Sequence, residues 1–121
     1  MSGWVWAGVA ALGAVGALAR FLIDAAVSSR ISGGFPTGTL VINVSGSLLL
    51  GLLAGLAVSG NALILEGTAT LGSYTTFSTW MLESHRLTED ADVRGALVNI
   101  FLSLAVGLGA AALGHAIGSA W

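Results

Sequence analysis

Four windows of about 20 mostly apolar residues, each as long as a helix must be to cross the roughly 30 Å of bilayer hydrocarbon, decide what this chain can fold into. They run from about Trp4 to Val27, Thr39 to Val58, Ala62 to Leu82 and Gly95 to Ile117. Polar breaks separate them: Ser28 to Pro36, the turn Ser59-Gly60-Asn61, and the charged stretch Glu83 to Arg94. A soluble four-helix bundle needs a polar stripe on every helix, and the segment Leu48 to Ala57 offers none. Only 8% of the 121 residues are charged, where a soluble domain carries roughly a quarter. The expected fold is therefore an all-α integral membrane protein, one domain over residues 1–121 with four transmembrane helices per subunit.

Composition excludes several functions. A net charge of −2 with only four basic residues, all arginine, leaves no cationic face to displace counterions, so nucleic acid is excluded as a partner. With no cysteine there is no disulfide framework and no thiolate metal site. His85 and His115 stand alone near window ends, and neither a catalytic triad, a P-loop nor a dinucleotide fingerprint is present. The chain is not expected to be an enzyme. The first window lacks a positive leader, so a cleaved signal peptide is not expected either.

With four crossings, Arg30, Arg86 and Arg94 fall on one side, diluted by Glu89, Asp90 and Asp92, while the other side has no basic residue. The bias favours external termini, yet so few cations leave both orientations accessible. Two subunits inserted in opposite directions fit that balance.

Polar residues inside the windows are costly and hence informative. Thr39, Asn43 and Ser47 recur every four residues and share one helical stripe. Asn99 and Ser103 repeat that spacing, with Gly107 next in line. A Ser or Thr can bond to its own helix, but a buried carboxamide such as Asn43 needs a partner or a ligand. The third window reads Gly72-Ser73-Tyr74-Thr75-Thr76-Phe77-Ser78-Thr79-Trp80. Glycine followed by β-branched and hydroxyl residues is poor helix material, so the third helix is expected to break near its middle. The alternative is an unbroken helix whose hydroxyls bond to the preceding turn. Carbonyls freed by a break are hard oxygen ligands that suit Na⁺. Gly51 and Gly55, and Gly114 and Gly118, form GxxxG pairs suited to close helix crossing. Four short helices enclose little interior, so any transport path lies at a subunit interface and implies a dimer.

Three motifs carry a family resemblance. Phe35-Pro36-Thr37-Gly38-Thr39-Leu40-Val41-Ile42-Asn43 resembles the F-P-x-G-T-L-x-x-N element of the Fluc/CrcB fluoride channels. Thr75-Thr76-Phe77-Ser78-Thr79-Trp80 is similar to their T-T-F-S-T-F signature, with Glu83 at the position of a family glutamate. Gly13-Ala14-Val15-Gly16-Ala17-Leu18-Ala19-Arg20-Phe21 resembles their G-x-x-G-A-x-x-R-Y first helix. The resemblance implies an antiparallel, dual-topology dimer in the inner (plasma) membrane that moves fluoride passively out of the cytoplasm and limits its toxicity. It implies a central structural sodium ion on the backbone carbonyls of Gly72 and Thr75. It also implies a fluoride path past Asn43, Phe77, Trp80, Ser78, Thr79 and Ser103, with Thr39, Glu83 and the vestibule residue Arg20 along it.

Four positions depart from that pattern: Trp80 replaces a phenylalanine, Asn99 a tyrosine, Gly107 a serine and Tyr74 an apolar residue. Trp80 either narrows a pore by its bulk or offers its indole N–H as a donor. Together with the one-sided arginines, these departures leave open a heterodimer with a related subunit beside the homodimer. A small dual-topology coupled cation or drug transporter is the main alternative function. That chemistry needs a carboxylate deep in the membrane, and Asp24 and Glu83 lie toward window ends. A membrane scaffold without transport would leave the Asn43 stripe idle.

Overall fold

The computed structural model describes residues 1–121 as an all-helical chain. Helix α1 spans Gly3–Arg30 and α2 spans Thr37–Gly55. A continuous helical run, α3 (residues 60–74), consists of Gly60–Ala62, a π-helical stretch Leu63–Leu71 and Gly72–Tyr74. After a break at residues 75–77, α4 spans Ser78–Glu89, and α5 spans Val93–Ser119. Thr75 leaves the helix with extended angles, φ −81° and ψ 162°, so the interruption expected between Gly72 and Trp80 falls at Thr75-Thr76-Phe77. The π-helical stretch has no counterpart in the sequence reading. Its wider winding lets Thr70 Oγ1 donate to the carbonyl of Leu65, five residues back, at 2.8 Å.

Three helices, α1, α2 and α5, are long and apolar enough to cross a membrane. Their burial pattern is inverted relative to a water-soluble domain. Only 17 of 121 residues are buried, while Phe21, Phe101 and Leu108 are each exposed by 65% or more. Water would not tolerate such a surface, whereas acyl chains or a second subunit would cover it.

Small residues set the helix spacing. On α2, a Cβ at Gly51 or Gly55 would press into the carbonyls of Ala111 and His115, and one at Gly114 or Gly118 on α5 into those of Leu48 and Leu52. The two GxxxG pairs thus face each other and bring α2 and α5 into backbone contact. Residue numbers rise together along this contact, so α2 and α5 run parallel. The chain between them, residues 60–89, must therefore return across the depth of the bundle. α1 and α3 are also parallel: Gly16 lies against the Thr70 carbonyl and Ser73 Oγ, and Gly8 against Leu65.

The helix ends follow backbone rules. Ala57 and Ala91 both adopt left-handed angles, φ 56° and 61°. Each sits just past a helix end, with Val58 N–H donating to the Leu53 carbonyl and Asp92 N–H to that of Leu87. These are Schellman stops built on alanine where glycine is usual.

Candidate functional site

The site is organised by where the break's main-chain groups go. In an unbroken helix the amides of Thr76 and Thr79 would bond to the carbonyls of Gly72 and Thr75. Instead, Thr76 N–H donates to Asn43 Oδ1 at 2.9 Å, and Asn43 Nδ2 donates back to the Thr76 carbonyl at 2.8 Å. Thr79 N–H donates to Thr76 Oγ1 at 3.2 Å, capping the start of α4. The carbonyls of Gly72 and Thr75 consequently receive no backbone N–H. Room for the break comes from Gly46 on α2, where a Cβ would meet Thr75 Cγ2.

A second brace lies on the other side of the break. The Tyr74 hydroxyl shares a 2.8 Å hydrogen bond with Ser45 Oγ, which also reaches the Ile42 carbonyl at 3.0 Å. Tyr74, Ile42 and Leu71 form the buried apolar cluster of the chain. The break is thus tied to α2 at two heights, by Tyr74–Ser45 and by Thr76–Asn43.

A groove of about 410 Å³ opens beside this region. Its walls include Asn43 and Ser47 from α2, Gly72, Thr75, Phe77 and Trp80 around the break, and Ser103 and Gly107 from α5. Three features bear on an anion. Asn43 has a second amide hydrogen with no partner in the chain. Ser103 Oγ is buried and unpartnered. Phe77 and Trp80 both line the groove and pack edge to face, with centroids 5.7 Å apart and planes at 86°; an aromatic ring carries partial positive charge at its edge.

The indole N–H of Trp80 is not one of these donors. It donates to the Asn99 carbonyl on α5 at 3.1 Å, while the residue also lines the groove. The Asn99 side chain is buried and donates to Ser84 Oγ at 2.8 Å and to the Trp80 carbonyl at 3.5 Å.

The other residues singled out by sequence gather elsewhere. Arg20, Thr39 and Thr79 line a second cavity of about 230 Å³ with Phe21 and Asp24, and Thr76 borders both spaces. Thr39 Oγ1 donates to Glu83 Oε1 at 2.5 Å, linking the start of α2 to α4. Ser78 is exposed and borders neither space; its hydroxyl lies 3.5 Å from Thr76 Oγ1. Sequence reasoning did not single out Gly46, Ser84 or the Thr76 peptide for the roles they take. Each role depends on a partner on another helical segment.

Comparison with known proteins agrees with the three motifs. The CrcB family pattern, described as "CrcB-like protein, Camphor Resistance (CrcB)", matches residues 7–115. The chain is 55% identical over 111 residues to "Fluoride-specific ion channel FluC 2" of Mycolicibacterium paratuberculosis, covering 92% of this chain and 91% of that one. It is 50% identical to the protein of the same name from Mycobacterium bovis, covering 92% and 88%. Against "Fluoride-specific ion channel FluC 1" of Symbiobacterium thermophilum it is 49% identical over 121 residues, covering 95% and 96%. The chain belongs to the CrcB family of fluoride-specific ion channels.

Proposed function

We propose that the chain is one subunit of a fluoride-selective channel that carries fluoride passively out of the cytoplasm and so limits its toxicity. In this reading it spans the inner (plasma) membrane four times, three times with α1, α2 and α5 and once with the broken run of residues 60–89. That count is supported by the parallel course of α2 and α5, which requires the intervening chain to recross the bundle.

The observation that carries the reading is the groove beside the break. Fluoride is small and strongly hydrated, and an uncompensated ion costs on the order of tens of kcal/mol to strip of water. It must meet donors in succession. Asn43, Ser103 and the aromatic rings of Phe77 and Trp80 line one groove and carry no charge. Neutral donors bind weakly enough to release the ion, which conduction requires. Arg20, Thr39 and Thr79, which line the second cavity, and Glu83, bonded to Thr39, form the approach to that groove, with Ser78 exposed outside both spaces.

The groove is one-sided. Phe77 is 69% exposed, and Gly72, Ser78 and Thr79 are exposed beside it. An antiparallel second copy across this face would close the groove and bring two breaks together. The chemistry of the break fits a sodium ion: the carbonyls of Gly72 and Thr75 are hard oxygens without an N–H partner. Sodium, when bound, supplies a fixed positive charge at the junction. Asn43 and Tyr74 brace the break against α2.

The test is efflux from liposomes containing this chain alone, followed with a fluoride electrode. Rapid fluoride release without a proton gradient, with chloride retained, is the expected result. Release that follows a proton gradient would favour the coupled transporter. Fluoride flux only when a related chain is added would replace the homodimer by a heterodimer.

A further inference from the structure

Trp80 and Asn99 hold one another twice. The indole N–H of Trp80 donates to the main-chain carbonyl of Asn99 at 3.1 Å, and Asn99 Nδ2 reaches the main-chain carbonyl of Trp80 at 3.5 Å. Ser84 completes the link, accepting from Asn99 Nδ2 at 2.8 Å and donating to the Trp80 carbonyl at 2.9 Å. Asn99 is 1% exposed, so water does not compete for these bonds. The residues lie on facing segments of α4 and α5, and Trp80 is also a wall of the groove.

We infer that Asn99 is a positioning residue for ion selectivity: its buried carboxamide fixes α4 against α5 so that the Trp80 indole N–H stays turned toward α5 and the groove meets only ring carbon and hydrogen. This inference rests on the reading of the groove as the ion's path. A free indole N–H is a donor that any halide can use, whereas ring edges next to Phe77 offer weak, spread-out positive potential. The carbonyl that receives the indole belongs to the main chain and survives substitution of residue 99. What substitution removes is the carboxamide that sets the register of the two helices.

The test uses Asn99→Leu, which keeps the branching at Cγ and deletes both amide hydrogens, in the full chain reconstituted in lipid nanodiscs. Hydrogen exchange at the Trp80 indole N–H is read by NMR, with the signal assigned by its loss in Trp80→Phe. Exchange should accelerate about tenfold in Asn99→Leu, the equivalent of one lost hydrogen bond. Ser84→Ala, which leaves Asn99 Nδ2 only its longer bond, should accelerate it to a lesser degree, and serves as the reading if Asn99→Leu does not fold. In liposomes, the fluoride-to-chloride flux ratio should fall in Asn99→Leu but not when the same change is made in Trp80→Phe. Native exchange rates in the folded variants, or an equal fall in both backgrounds, would overturn the inference. Absence of fluoride flux from the unaltered chain, both alone and with a related chain added, would instead contradict the channel reading, and the exchange measurement stands apart from it.

Discussion

Asn43 grips the peptide of Thr76 from both sides, accepting from its N–H at 2.9 Å and donating to its carbonyl at 2.8 Å. One side chain therefore replaces the helical partners that the break removes, and still has an amide hydrogen to present to the groove. Replacing Asn43 with Leu removes both bonds and this donor. Each bond contributes about 1 kcal/mol, and the half-buried Thr76 groups are then left without their partner. The variant should lose fluoride flux by at least about tenfold, measured with an electrode on liposomes, with a lowered Tm. Asn43→Asp keeps the acceptor for Thr76 N–H but not the donor, and should also fail to conduct. Native flux in either variant would remove Asn43 from the path.

Sodium dependence separates the break from the groove. Replacing sodium by a large organic cation on both sides of the membrane should reduce fluoride flux in the native chain, because the Gly72 and Thr75 carbonyls have no other partner. Flux that persists unchanged over hours in sodium-free solution would show that these carbonyls need no cation.

The contact of α2 with α5 rests on glycine. Gly114→Leu would drive a side chain into the Leu48 carbonyl, an overpacking cost of about 3 kcal/mol. The expected outcome is loss of the folded species on size-exclusion chromatography, and a monodisperse, native-like elution would contradict the backbone contact.

Ala91 holds a left-handed conformation, φ 61°, just past the end of α4. An L-residue there pays roughly 1–2 kcal/mol that glycine does not. Ala91→Gly should raise the Tm of the purified protein without changing flux. A lowered Tm would mean that the greater freedom of glycine in the unfolded chain outweighs the relieved strain.

Local chemistry made part of this structure legible. The all-helical class, the long apolar segments and the weak segment around Gly72 to Trp80 follow from hydropathy and helix propensity, which act over a few residues. The family follows from three motifs that are contiguous in sequence. The point at which the third helix breaks is another matter. It falls at Thr75–Phe77 because Asn43, 33 residues earlier, captures the Thr76 peptide, and because Gly46 clears space for Thr75. Trp80 shows the same limit, since whether its N–H faces the groove depends on an Asn99 carbonyl 19 residues away. The π-helical winding of Leu63–Leu71 leaves no signature in the apolar pattern either, because a change from four- to five-residue bonding scarcely alters which residues are apolar.

The groove can be tested as the ion's path with a single thiol, since the native chain has no cysteine. Gly107 lines the groove, and a Cβ there would meet only Ser47 Oγ at 3.7 Å, so Gly107→Cys should fold and conduct. Gly109, two residues along α5, is exposed outside the groove with nothing within 4 Å of an added Cβ, and Gly109→Cys is the control. Fluoride efflux is measured before and after complete reaction with a bulky methanethiosulfonate. Efflux should stop for Gly107→Cys and continue for Gly109→Cys; undiminished efflux through fully labelled Gly107→Cys would show that fluoride does not pass through the groove.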